Sequence, residues 1–474
     1  MESPRKADPS RIVQLALLAQ RYRGPAPRML RTAGHYLLSR LQKEAPRIED
    51  WSSPLIAREH AKPRVLPAFE QAAPGSAQPA RNGGCPSSAR KVAFKCLIST
   101  CVLDAGGIDE FVAFLARRLP SRGINTAIMI TDLAAGDGQL LRSLRDEGVE
   151  VVQRSVEDSR RWLADERPDV ISAHAPPDWL LEAAHALRIP VVETLHALPT
   201  PIGTNWQAEA PRSRHIRFFV AVSELVRLQY LRGNPGFDRE AIITVPNGFN
   251  DSHRPAVDRA AAREWLGLEN EFLFVSLARH VMQKNAYGLI SAFSDVAQTF
   301  PHAHLLLAGR PDDAVYMEQL LRLRRQSGAA ERIHLRHNFS NPSLLLSAAD
   351  CFVLNSFFEG WPLASMEALC AGLPVIMSDV GGAREQIGAD GKFGYIVGNP
   401  GDDPERVSWD TVSRQRFRLQ LNRTALVSAM IDVITNRERW ETARPIMARE
   451  ARIRFDVEAC IERYASILGQ AVAG

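Results

Sequence analysis

Two groups of side chains in this 474-residue sequence have the types and spacing for chemistry. Glu359 and Glu367 stand in NSFFEGWPLASMEALCAGLPVIMSDVGG (355–382), inside what otherwise reads as core. A buried, unpaired carboxylate is costly, so two of them in apolar surroundings imply partners. Ionised carboxylates only accept hydrogen bonds, and adjacent hydroxyls, as on a ribose or hexose, are a matching donor set. Gly360 lets a ligand approach the backbone, and the helix start beyond it offers free amides to a phosphate. Arg279 and Lys284 in LARHVMQKNAYG supply two cations. Together they would neutralise roughly two phosphate charges and stabilise a diphosphate leaving group. Taken singly, each group reads more simply as solvated surface. The order of the strands that carry them is what joins them.

The elements that must position these residues follow from the apolar pattern. CFVLN is a buried strand whose carboxyl end opens into SFFEGW, so Glu359 lies on a strand-to-helix loop. Pro362 suits a first helical turn, Gly372 a helix end, and Pro374 blocks its continuation. Glu367 then lies inside a short helix. On one continuous helix the two glutamates would sit about 80° apart; loop plus helix aims both at one ligand. Arg279 and Lys284 follow the strand FLFVSLA at the same sheet edge.

Apolar runs without alternation, separated by helices, predict parallel sheets covered on both faces. VAFKCLISTCV, NTAIMIT, VEVVQ, DVISAH, PVVETLH, FFVAVS and IITVPNG form a first series. FLFVSLA, HLLLAG, RIHLRH, CFVLN and PVIMSD form a second, with helices predicted over 286–299, 315–326 and 342–348. A helical stretch over 424–452 and a tail helix over 456–472 follow. The fold class is α/β: two Rossmann-like doubly wound domains facing a cleft, with an N-terminal extension. Ligands in such sheets sit beyond the carboxyl ends of the strands. The expected divisions are 1–90 (extension and linker, partly helical or disordered), 91–255 (first domain), 256–452 (second domain) and 453–474 (a helix crossing back to the first domain). VPNG, with Asn247 and Gly248, makes the turn into the hinge. The polar, Arg-rich 401–423 reads as a surface excursion.

Composition excludes more than it selects. Hydrophobic residues make up 45% and charged residues 24%, and the net charge of +4 demands no nucleic acid. Only seven of the 58 basic residues are lysine, so Lys284 stands out. The six cysteines are scattered without a C-x-x-C pair, which argues for reduced thiols and against structural zinc. No apolar run reaches a membrane span. The segment Ser10–Lys43 interleaves arginines with apolar residues at helical spacing, and Pro63–Ser88 has linker composition. The front piece is therefore expected to be flexibly joined. Its helical part is either a solvated docking element or a peripheral contact with an anionic membrane.

At the level of motifs the chain resembles the retaining glycosyltransferases of family 4, with the GT-B fold. The resemblance spans roughly 91–452 and is most specific in EGWPLASMEALCAGLPVI and the following GGAREQI. It implies that Glu359 contacts hydroxyls of the transferred sugar and Glu367 the nucleotide ribose. It implies that backbone around Gly360, Trp361, Pro362, Leu363 and Ala364 holds sugar and phosphate. Arg279 and Lys284 match the pair that binds the donor diphosphate, and Gly106 and Gly107 the glycine loop facing donor and acceptor. His196 in ETLHAL falls near the reacting sugar. Base recognition, largely through backbone contacts, falls around Arg336–Phe339, with Arg336 among the donor-binding residues. The sequence departs from the family pattern at Ala278 and Asn285, where the family has glycine, and at AGRPDD.

The implied reaction moves a sugar from a nucleoside diphosphate sugar to an acceptor hydroxyl on a glycan, a lipid-linked molecule or a small molecule, with retention. Glu359, His196, Arg279 and Lys284 are the expected catalytic set. No D-x-D motif occurs, so no metal and no cofactor beyond the donor substrate are expected. The expected setting is cytoplasmic, at most peripheral on the inner membrane face, in envelope or exopolysaccharide assembly. The rival readings are transfer to secondary metabolites, a GT-B epimerase or phosphorylase, and a non-catalytic carbohydrate-binding protein.

Overall fold

The computed structural model describes residues 48–57, 94–104, 106–134, 136, 138–249, 257–388 and 390–474. The helical stretch predicted over Ser10–Lys43 and the linker over Pro63–Ser88 lie outside them. A first parallel sheet takes β1 (Phe94–Thr100), β2 (Ile124–Ile130), β3 (Glu150–Val152), β4 (Val170–Ala173), β5 (Val191–Leu195), β6 (Phe218–Ala221) and β7 (Ile242–Thr244) in the order β3-β2-β1-β4-β5-β6-β7. A second takes β8 (Phe272–Leu277), β9 (Ala303–Ala308), β10 (Ile333–Arg336), β11 (Cys351–Leu354), β12 (Val375–Ser378) and β13 (Gly394–Val397) in the order β10-β9-β8-β11-β12-β13. Both orders reverse beside their first strand, between β1 and β4 and between β8 and β11. At such a point the connections diverge to opposite faces and leave a crevice at the carboxyl ends.

Helices cover both faces of each sheet, which is why β4, β11 and β12 are buried along their whole length. Those that bear on the site are α1 (Gly107–Arg118), α2 (Glu224–Gly233), α3 (Arg259–Leu266), α4 (Ala286–Thr299), α5 (Pro342–Ala348), α6 (Leu363–Cys370), α7 (Arg423–Thr435), α8 (Arg437–Arg454) and α9 (Val457–Ala473). One face of the first sheet buries Ile98, Ile128, Val192 and Val220 against α1 and α9. Its other face joins a core continuous with the second sheet.

The chain crosses between the sheets twice in one place. The Phe249 amide donates to the Phe455 carbonyl at 2.8 Å. A Cβ on Gly248 would come within 2.7 Å of Val457 Cα, so the crossing strands touch backbone to backbone. From there α9 runs back over β4 and β5, and its buried Tyr464 hydroxyl lies 3.5 Å from Thr194 Oγ1.

Three features differ from the sequence reading. β13 escapes it because its four residues begin with Gly394 and stop before Gly398, with little apolar length. The helical stretch over 424–452 is two helices, α7 and α8, parted at Asn436, whose side chain bonds back to Asp432. Residues 401–423 are more than a surface excursion: Val407 and Val412 are fully buried, and Gln420 and Asn422 nearly so.

Candidate functional site

Two loops flank the crevice of the second sheet. The one after β8 carries Arg279 and Lys284, and the one after β11 carries Glu359. The Lys284 ammonium donates to both Glu359 carboxylate oxygens at 2.7 and 2.8 Å, and the Ser356 hydroxyl donates to Oε1 at 2.6 Å. Glu359 is 6% exposed. Its charge is therefore tolerated because a cation and a hydroxyl face it, as a buried carboxylate requires.

The Lys284 loop is held from behind. Asn285 has a left-handed backbone (φ 53°), a conformation that favours glycine and that asparagine also adopts. This accounts for an asparagine where the family carries glycine. Its side chain caps α4 at the Gly288 amide and forms a two-way amide pair with Gln420, at 2.7 and 2.6 Å. Asn422 in turn donates to the Asn355 side chain at 2.8 Å, at the carboxyl end of β11. The 401–423 segment thus ties together the two loops that bring Lys284 to Glu359.

Arg279 is half exposed and donates to Asp312 at 3.0 Å; Arg310 Nε donates to the other oxygen of Asp312 at 2.5 Å. Burial pushes the Asp312 carboxyl up, but bonds from Arg310 and Arg279 outweigh it and hold it below the usual carboxylate range. The departure AGRPDD therefore adds a third cation, Arg310, at the carboxyl end of β9. Asp104, in the loop after β1, contributes to the field around Arg310 from the first sheet.

Across the cleft, Gly360 abuts His196: a Cβ on Gly360 would fall 1.9 Å from the His196 carbonyl oxygen. The His196 ring shares a hydrogen bond with His174, Nε2 to Nδ1 at 2.7 Å, and Phe111 packs edge-on to it at 5.5 Å. Burial pushes His196 down to about 4. Burial, then the neighbouring ring, holds His174 well below its ordinary range. Both imidazoles are neutral near pH 7, so His196 acts as a hydrogen-bonding group rather than a cation.

Gly106 precedes α1, and the buried Asp109 accepts from the Gly106 amide at 2.9 Å and the Asp104 amide at 3.1 Å. Asp109 shapes the glycine loop rather than facing solvent. A Cβ on Gly107 would sit 3.5 Å from Leu363, so the starts of α1 and α6 oppose each other across the cleft.

At the start of α6, Pro362 is the residue before the helix rather than inside its first turn, and its carbonyl accepts from Ser365 and Gln386. Having no N–H, it leaves the amides of Leu363 and Ala364 to face an anion. Trp361 turns its side chain into the core, with Nε1 3.4 Å from Met366 Sδ, so only its backbone borders the crevice. Glu367 is half buried and lines a cavity of about 870 Å³ between α6 and α1, with Leu363, Met366, Phe111 and Phe114. The lining of that cavity does not include Glu359.

The Arg336 side chain is engaged away from the crevice. It is 1% exposed, and its guanidinium is taken up by the N-terminal segment: it bonds the Asp50 and Pro54 carbonyls and pairs with Glu49. It does not offer its side chain to a ligand. The front piece, expected to be flexibly joined, is docked over 48–57 on the second sheet.

The domain closure is also fixed by polar contacts. The Glu224 amide at the start of α2 donates to Glu385 at 2.6 Å, and Gln229 donates to the Glu405 carbonyl at 3.0 Å. Glu385, in GGAREQI, is thus a bridge between domains, and burial raises its carboxyl above the usual range.

Two family models match this chain, one on each sheet. "Glycosyltransferase Family 4" covers residues 105–253, and "Glycosyl transferases group 1" covers 258–409. The chain belongs to the family 4 type of GT-B glycosyltransferases. It is similar to an uncharacterized glycosyltransferase of Methanocaldococcus jannaschii, 32% identical over 111 residues, 23% of this chain and 27% of that protein. It is also similar to a glycogen synthase of Mycobacterium tuberculosis, 28% identical over 245 residues, 47% of this chain and 54% of the other. The chain thus spans about half, or less, of the length of these relatives. Among solved structures, Anabaena HepE in complex with UDP superposes with a TM-score of 0.65 at 18% identity, over 80% of this chain and all of that one. That likeness is one of fold.

Within this glycosyltransferase fold, sequence reasoning missed Ser356, Arg310, Asp312, Gln420, Asn285 as a linchpin, and His174. Arg310 and Asp312 carried a signal, since a cation and an acid directly follow a strand at the ligand edge. Gln420 carried none, because its partner is 135 residues away. Among the described residues, no group of three or more His, Cys, Asp or Glu gathers as a metal site would require, and no helix is long and apolar enough to cross a membrane.

Proposed function

We propose that the chain is a retaining glycosyltransferase that moves a sugar from a nucleoside diphosphate sugar to an acceptor hydroxyl. The observation that carries this is the Lys284–Glu359 pair, buried at the crevice of the second sheet, with the adjoining Gly360 packed against the His196 carbonyl of the first unit. In this reading the second unit is the donor half and the first the acceptor half. Arg279, Lys284 and Arg310 take the diphosphate, helped by the amides at the start of α6. Glu359 accepts from hydroxyls of the transferred sugar and Glu367 from the ribose. His196, neutral, orients the sugar from the first unit. Gly106 and Gly107 leave room for acceptor and phosphate to meet.

The acceptor hydroxyl approaches the face that the diphosphate leaves, and the departing phosphate oxygen takes its proton. The protein supplies position and electrostatic stabilisation rather than a nucleophile. UDP in the HepE complex makes a uridine donor the first to test. The basic, helix-periodic Ser10–Lys43 supports an acceptor presented at an anionic membrane, in envelope or exopolysaccharide assembly.

The test is a thermal-shift screen of the full chain with UDP-, GDP-, ADP- and dTDP-sugars. One donor class should stabilise by mass action, about 2.7 kcal/mol at a hundred times its Kd. Failure of all four to shift the transition would overturn the reading.

A further inference from the structure

Residues 48–57 have no place in the catalytic account, yet they make a dense set of contacts. Glu49 pairs in parallel with Arg336, adding a bridge to the outer edge of β10, which is the edge strand. Trp51 packs tilted against Phe339 and stacks on Trp265, at ring distances of 4.9 and 6.0 Å, and its Nε1 donates to the His337 carbonyl at 3.0 Å. The Leu55 amide donates to the Leu266 carbonyl at 2.9 Å, and Ile48 and Leu55 are buried. Gly267 is pressed so close to this segment that a Cβ there would meet the Ile56 carbonyl at 2.2 Å.

The point of attachment is what gives these contacts a functional direction. Arg336 is the last residue of β10, at the same carboxyl edge as the Arg279 and Arg310 loops. Its guanidinium is held by the segment, while its carbonyl is shared by two of those loops. It accepts from the Gly309 amide at 3.1 Å and pairs with His280 Nε2 at 3.0 Å. Gly309 is the neighbour of Arg310, and His280 the neighbour of Arg279. The His280 amide also donates to the Arg310 carbonyl at 2.9 Å. The His337–Phe339 loop, which Trp51 fixes directly, leaves β10 at the same edge.

We infer that residues 49–54 are a built-in strap of the donor site, with Trp51 and Glu49 as positioning residues for the nucleoside diphosphate. This rests on the donor half lying where the proposed function puts it. The strap touches no reacting atom. It sets the outer wall of the site through the His337 carbonyl and sets the two arginine loops through Arg336. The consequence is a donor-affinity effect from a segment more than 200 residues away in sequence from Arg279, Lys284 and Arg310. Removing the strap should weaken donor binding and leave turnover of bound donor nearly intact, because the contacts are made before and after transfer alike.

The experiment uses the full chain with Trp51→Ala, Trp51→Phe and Glu49→Ala, measuring donor KM and kcat, melting temperature, and Kd for UDP, GDP, ADP and dTDP. The probe for the variants is whichever nucleoside diphosphate the wild type binds most tightly. Trp51→Phe keeps an aromatic ring beside Phe339 and loses the bond to the His337 carbonyl, so it carries the test if Trp51→Ala does not fold. One such bond is worth about fivefold in affinity. The expected result is a Kd and KM raised about fivefold in Trp51→Phe and tenfold or more in the other two, with kcat within about threefold of wild type. A lowered melting temperature with unchanged Kd and KM would make the strap purely structural and overturn the inference. A wild type that binds none of the four nucleotides would instead overturn the donor-site reading beneath it.

Discussion

Replacing Lys284 by methionine tests the site through stability alone. The substitution keeps the volume and removes the charge. Glu359 would keep only the Ser356 hydroxyl, at 2.6 Å, and its side chain is 7% exposed, so water cannot take the place of the ammonium. Breaking a buried pair from one side costs about 3–5 kcal/mol. In a unit of this size that corresponds to a melting shift on the order of 10 °C. Glu359→Gln should cost less, because Lys284 is 18% exposed and its flexible chain can reach solvent. The double variant, with neither charge, should recover much of the loss, since a buried pair removed as a whole is close to neutral. The assay is denaturant unfolding of the four proteins, read by fluorescence and by circular dichroism. The expected order of stability is wild type, Glu359→Gln, the double variant, then Lys284→Met. A Lys284→Met protein within about 0.5 kcal/mol of wild type, or a double variant no more stable than Lys284→Met, would refute the reasoning.

Three further outcomes follow from particular contacts. Gly360→Ala places a methyl group 1.9 Å from the His196 carbonyl oxygen; the cleft must open by an ångström or more, and transfer should fall about 10²-fold with little change in melting temperature. Gln420→Ala orphans the Asn285 amide in a buried position and should cost about 1–3 kcal/mol and raise donor KM, read by unfolding and by initial rates. His196, pushed down to about 4, and His174, held well below its ordinary range, are neutral when folded. The unfolded chain takes up their protons below about pH 6.5, so stability is full above that pH and falls as pH drops toward 4. Unfolding as a function of pH should show this slope, and His196→Asn should flatten it.

The legible and illegible parts of this protein divide by range. Strands β1 to β12 show in the sequence because fully buried parallel strands need uninterrupted apolar runs. The Glu359 loop and the Lys284 loop show because each directly follows such a run. What the sequence does not carry is which side chains meet across it. Gln420 reaches Asn285, Asp312 gathers Arg279 and Arg310, and Glu385 caps a helix of the other domain. Arg336 shows the same limit. It ends β10, and only the docked 48–57 segment, remote in sequence, shows that its charge is already used. The glutamates illustrate the same limit: their types and spacing are plain, but their convergence on one ligand is not a property of spacing. Glu359 faces Lys284, and Glu367 faces the cavity beneath α1.

The central claim is that the Glu359–Lys284 crevice transfers a sugar from a nucleotide donor. The most direct test is nucleoside diphosphate release from UDP-, GDP-, ADP- and dTDP-sugars by the wild type and by Glu359→Gln, with water or an added glycan as acceptor. The account predicts release from one donor class by the wild type, and at least about 10²-fold slower release by Glu359→Gln with binding of the nucleoside diphosphate retained. Full activity in Glu359→Gln, or no release from any of the four donors by a folded wild type, would contradict it.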